Sequence, residues 1–155
     1  MNTATAPLLF SLKPCYADLV FERLKEAELR KRITLYMKDR DVFIYVSSPV
    51  RKLRGGFRVG QVWSGSPEEV WNNVSEFVGI DKRDFDAYYE GRTIAYALEI
   101  TEVWEYKNPI DLNALRKQFP NFVVPQSWRY VRPEEQRFFN NKRDHKLRDV
   151  SRQLG

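Results

Sequence analysis

The chain has 155 residues, 43% hydrophobic and 14% aromatic, with 26 Lys/Arg against 21 Asp/Glu and a formal net charge of +5. That is the size of one ordinary domain with one substantial core. A single cysteine, Cys15, excludes a disulfide framework and multi-cysteine metal sites; a single histidine, His145, excludes multi-histidine metal sites and argues against a Ser-His-Asp triad.

Charge is unevenly spread. Residues 1–60 carry twelve Lys/Arg against six Asp/Glu, residues 61–136 carry eight against thirteen, and residues 137–155 carry six against two. Such polarity suits a polyanionic partner on one face. No apolar run approaches the roughly 20 residues that a membrane helix needs. The start "MNTATAPLLFSLKP" lacks a signal-peptide pattern. With no disulfides to protect, a cytoplasmic location without membrane attachment is expected.

In chain order, Leu8 to Leu12 read as a buried strand, and Pro14 opens a helix whose apolar positions are Tyr16, Leu19, Val20 and Leu24. That helix is expected to end near Lys25. Cys15 on it reads as a small buried or half-buried side chain. "AELRKRITLYM" (27–37) reads as a strand alternating Glu28, Arg30 and Arg32 with Leu29, Lys31 and Ile33. Val42 to Val46 form a β-branched strand that stops at Ser47, Ser48 and Pro49. "KLRGGFRVGQVWSG" is a further strand with a bulge or bend at Gly55 and Gly56.

Ser66, Pro67 and Glu69 spell a capping box, followed by a stripe of Val70, Trp71, Val74, Phe77 and Val78. "DKRDFDAYYEG" is a short helix stopped by Gly91. "TIAYALEITEVWEY" is a long strand, "PIDLNALRKQFPNF" one or two helical turns, and "VVPQSWRYV" an extended segment. From Pro133 the chain suits a helix with acids first and bases later. Its apolar content thins after Phe139, so its end is expected to fray or to order on a protein partner, and residues 137–155 to be dispensable for the fold. This order is not a regular βαβ alternation. It predicts an α+β fold: a mixed β-barrel with flanking helices and a C-terminal helical tail.

The stretch "FERLKEAELRKR" (21–32) has eight charged residues in twelve. Read as a helix end feeding a strand, it places Glu28 and Arg30 on one sheet face, with Lys25 leaning over them. A carboxylate between two cations stays ionised. Such a triad suits a nucleobase edge or a phosphate; the alternative is an ordinary surface salt-bridge cluster. Other positions admit the same two readings. Ser47 and Ser48 are turn residues or hydroxyls at a cleft mouth. In "QSWRY", Gln126, Ser127 and Arg129 offer hydrogen bonds, while Trp128 and Tyr130 either stack on bases or enter the core. Arg51, Lys52, Arg54 and Arg58 either track a backbone or form a solvated edge. Trp63, Trp71 and Trp104 read as core residues, and His145 as solvent-exposed.

Lys25, Glu28 and Arg30 resemble the last three fixed positions of the signature G-x-K-x-x-E-x-R of the ASCH family, a branch of the PUA-like superfamily. Arg23 stands in the glycine's place. The Lys13–Pro14 pair, "VFIYVSSPV", "GSPEEVW", "FDAYYEGRTIAYALEI" and "PQSWRYV" are similar to the longer prokaryotic members, in the right order. The resemblance implies an ASCH/PUA-like domain over residues 1–132 and a basic C-terminal helix or tail over 133–155. It also implies a cleft between barrel and helix that binds RNA or a nucleoside-type ligand. That cleft is expected to use Lys13, Lys25, Glu28, Arg30, Ser47, Ser48, Arg51, Gln126, Ser127, Trp128 and Arg129, with no metal and no cofactor. Two enzymatic readings come with the resemblance. One is removal of an acyl group from N4-acetylcytidine, with Lys25 catalytic and Glu28 shuttling protons; those members carry a threonine where this chain has Glu28. The other is ribonuclease activity. A regulatory module that binds a protein partner through the tail is the third reading.

Overall fold

The computed structural model describes residues 6–34 and 36–154, with side chains as far as residue 143. Its elements run β1 (Leu8–Leu12), α1 (Pro14–Phe21), β2 (Ala27–Arg30), β3 (Asp41–Val46), β4 (Lys52–Gly65), α2 (Pro67–Val74), α3 (Lys82–Tyr88), β5 (Ala95–Asp111), α4 (Leu112–Gln118), β6 (Trp128–Tyr130) and α5 (Pro133–Leu154). The strands form one mixed sheet in the order β2-β5-β4-β3-β1-β6. Among the described residues only β1 and β3 pair in parallel.

The sheet curls far enough for side chains to link its two edges. From β2, Arg30 Nη1 donates to Ser127 Oγ at 3.1 Å, just before β6. Close by, the Thr34 and Tyr130 hydroxyls share a 2.5 Å hydrogen bond. The tight curl depends on Gly55 and Gly56. A Cβ on Gly55 would sit 2.2 Å from the Trp104 carbonyl, and one on Gly56 2.1 Å from that of Val42. The ladder between β4 and β5 shifts register at both residues. The α+β, PUA-like barrel architecture expected above is the one observed.

Both faces of the sheet are buried. Leu8, Phe10, Val42, Ile44 and Phe57 pack inward, around Ala17 and Val20 of α1. Leu9, Phe43, Tyr45 and Trp104 pack on the other face with Leu115 of α4 and Phe139 of α5. A third cluster joins Ala27, Ala95 and Ala97 to Val70 and Val74 of α2 and Phe85 of α3, with Trp63 and Trp71 packed against it.

The capping box forms: Ser66 Oγ accepts from the Glu69 N–H at 3.2 Å. Of its expected stripe, Phe77 stays exposed because α2 ends at Val74. Gly91 stops the segment after α3 with φ 77°.

Several expectations are corrected. α1 ends at Phe21 rather than near Lys25, because the chain turns in a Schellman motif: Leu24 N–H donates to the Leu19 carbonyl and Arg23 N–H to that of Val20. Ladder pairing in β2 stops at Arg30 instead of running through residue 37. Cys15 is exposed.

The tail is no separable appendage. Glu135 is held by Arg129 through two 2.9 Å contacts and itself accepts from the Arg132 N–H. Phe139 is fully buried. Arg143 lies 3.7 Å over the Trp104 ring and bonds Asp41 at 2.6 Å. Deleting residues 137–155 therefore removes core. The His145 side chain lies outside the described residues.

Candidate functional site

The helix-to-strand passage builds the site. The Schellman turn brings Lys25 over β2, whose two-residue period points Glu28 and Arg30 the same way. Their exposures are 8%, 2% and 6%. Lys25 ion-pairs with Glu28 Oε1. Arg30 Nε donates to Glu28 Oε2 at 3.0 Å, with Nη2 2.9 Å from the same oxygen. Glu28 Oε1 and Arg30 Nη2 sit against the opposite charge without an aligned hydrogen bond. Burial alone pushes the Glu28 carboxyl up, but the Lys25 and Arg30 charges outweigh it and hold it below the ordinary carboxylate range. The Arg30 guanidinium lies 4.0 Å over the Phe10 ring. The triad is thus a fixed ionic cluster with no ordinary solvated face.

It forms the floor of a cleft of about 490 Å³. That volume falls within the range of small-ligand sites. The cleft gathers Lys13, Lys25, Glu28, Arg30, Ser47 and Gln126 of the expected set. Ser127 lies just behind the wall as the Arg30 acceptor. Together with the 2.7 Å bond from Ser11 Oγ to the Pro125 carbonyl, this fixes the 124–127 wall. Arg30 is therefore spent on structure, and Lys25 is the triad member with donors to spare.

The structure places the other expected residues outside the lining. Ser48 is exposed and enters the cis peptide with Pro49. Arg51 sits at φ 56°, its carbonyl accepting from Leu112 N–H. Trp128 packs edge-on to Tyr130, 5.5 Å away, against the inner core. Arg129 is committed to Glu135 and the Val123 carbonyl. Two arginines of the basic run are also tied up on β4. Arg54 pairs with Asp18 and Glu105, and Arg58 with Asp41. Among the described residues no group of three His, Cys, Asp or Glu is placed to hold a metal ion.

Sequence reasoning missed the opposite wall: Tyr16, Val78, Ile80, Asp84 and Tyr88. Val78 was read as helix core, and nothing in "DKRDFDAYYEG" marks which side meets β2. Tyr88 donates to the Leu29 carbonyl at 3.4 Å, and burial holds its hydroxyl above the usual range.

No family model matches this chain. A Zymomonas mobilis protein named ASCH domain-containing ribonuclease is 27% identical over 127 residues, which is 82% of this chain and 85% of that protein. The crystal structure of ASCH from Zymomonas mobilis superposes with a TM-score of 0.81 at 25% identity, covering 88% of this chain and 94% of that one. Large ribosomal subunit protein uL22 of Ureaplasma parvum serovar 3 is 33% identical over 109 residues, 70% of this chain. The chain spans only 35% of that curated relative's length, so its name describes a much longer protein. Fold, signature residues and the Zymomonas relatives agree: this chain is similar to the ASCH proteins in both sequence and fold.

Proposed function

We propose that this protein binds single-stranded RNA, taking one unpaired nucleotide into the cleft above Lys25, Glu28 and Arg30. The observation that carries the reading is the buried triad itself. Two cations and a carboxylate are desolvated together at the floor of an open cleft, an arrangement costly for stability alone and suited to a polar ligand. RNA as the ligand class is supported by the similarity to a protein named a ribonuclease. A cytoplasmic location and further contacts through the tail fit this reading.

The test is fluorescence anisotropy with a labelled single-stranded RNA across a salt series. Affinity should fall steadily as salt rises. Lys25→Ala should weaken binding roughly tenfold while leaving a folded far-UV spectrum. A flat salt profile, or unchanged affinity in Lys25→Ala, would sink the reading.

The name of the Zymomonas relative favours a second reading, RNA cleavage. In that reaction the 2′-oxygen attacks the adjacent phosphorus and the bond to the 5′-oxygen breaks. The proton lost from one oxygen is gained by the other, leaving a 2′,3′-cyclic phosphate. Lys25 and Lys13 would stabilise the charged phosphorane. Cleavage that persists at a single 2′-deoxy position excludes this route. Deacylation of N4-acetylcytidine is less well supported. It asks Glu28 to shuttle protons, and a carboxylate held low by two cations is a poor base near neutral pH.

A further inference from the structure

We infer that the cleft holds its nucleotide in one orientation, phosphate toward Lys13 and base toward Asp84, and that Asp84 selects bases with an exocyclic amino group over uracil. This rests on the RNA-binding reading and adds a substrate preference to it.

The floor triad keeps one net positive charge, but it lies beneath both walls and favours neither, so the uncommitted wall charges decide orientation. Lys13 and Asp84 both line the cleft and both are exposed. Neither side chain has an ion pair or hydrogen bond among the described residues. They belong to different walls: Lys13 caps the start of α1, and Asp84 lies in the first turn of α3. Nearby carboxylates of the helical cap are occupied. Asp81 accepts from the Asp84 N–H at 2.9 Å, Asp86 holds Lys82 at 2.8 Å, and Glu69 accepts from Ser66 at 3.0 Å. Asp84 alone of these four faces the cleft.

A phosphate is drawn to the lysine edge and repelled from the carboxylate edge. Between the two, Val78, Ile80 and the 42%-exposed ring of Tyr16 offer apolar surface for a flat base. The base edge that reaches Asp84 must donate, because an ionised carboxylate only accepts. Adenine, cytosine and guanine carry an amino group for this role. Uracil presents a carbonyl at the position of cytosine's amine, setting acceptor against acceptor.

The experiment measures labelled oligo(C), oligo(A) and oligo(U) of equal length by anisotropy. Wild type should bind oligo(U) roughly fivefold more weakly than the other two. In Asp84→Ala the three affinities should converge; Asp84→Asn, which keeps the side chain's shape, repeats the test should alanine disturb α3. Asp86→Ala changes charge equally on the same helix but outside the lining. It should raise all three affinities together and keep the preference. Equal binding of the strands by wild type, or a preference that survives in both Asp84 variants, overturns the inference. If none of the strands binds, the RNA-binding reading itself falls, and the preference with it.

Discussion

Two runs in this chain are rich in charge, and they meet different fates. In "KEAELR" Lys25, Glu28 and Arg30 are buried together and line a cleft, while Glu26 stays exposed. In "RKLRGGFR" the arginines lie across the outside of β4, where Arg54 and Arg58 are matched by Asp18, Glu105, Asp41 and Glu102. Net charge along the sequence suggested the second run as an electrostatic track. The fold cancels it with acids distant in sequence. What distinguishes a ligand-facing charge is its place at a cleft together with donors left over after its partners are served.

The sharpest way to break this comparison is Glu28→Gln. It leaves two desolvated cations facing each other and should cost about 3–5 kcal/mol, a fall of roughly 10 °C in Tm by calorimetry. The same group sets a pH dependence. Its folded pKa lies below the ordinary value of 4.5, so its contribution is fully present above pH 4.5 and fades as pH falls through the lower folded value. Acid titration of unfolding free energy should show that loss in wild type and a shallower one in Glu28→Gln.

Arg54→Ala is the counterpart on β4. It removes two half-exposed ion pairs and the stack on Phe21 at 4.5 Å, for about 1 kcal/mol in urea unfolding. RNA affinity should stay within twofold, about the uncertainty of such a measurement. A large loss of binding there would restore β4 as a track.

The smallest effect has the opposite sign. Arg23 occupies the left-handed position of the Schellman turn at φ 60°, where glycine carries no Cβ penalty. Arg23→Gly should stabilise the fold by about 0.5 kcal/mol, the gain reduced by glycine's greater freedom when unfolded. If it destabilises, the arginine makes a compensating contact.

This position also explains how much was legible in the sequence. The signature's glycine marks a helix C-terminus, and an arginine there hid the stop, so α1 was drawn too long. Period-two spacing was enough to put Glu28 and Arg30 on one face. The capping box at Ser66 was readable because its cause is local; the glycine pair at 55 and 56 was readable as a bend, although what it packs against, Trp104 and Val42, lies elsewhere in the chain. Asp84 and Tyr88 were not, since which wall α3 forms depends on packing against β2, more than fifty residues earlier. Arg129 was misjudged for a different reason: nothing in the sequence pairs it with Glu135, six residues on at the start of α5. Thin apolar content after Phe139 concealed an anchor made by a cation over an indole, Arg143 on Trp104.

The bond from Arg30 to Ser127 has a consequence for solubility. β2 and β6 are the outer strands of the sheet, four and three residues long, and each would otherwise offer unpaired backbone to a neighbouring molecule. A guanidinium fastening one rim to the other holds the two borders close together, which leaves a second copy less room to extend either. Arg30→Ala should therefore raise the rate of aggregation at elevated concentration, followed by light scattering, beyond what its loss of stability explains.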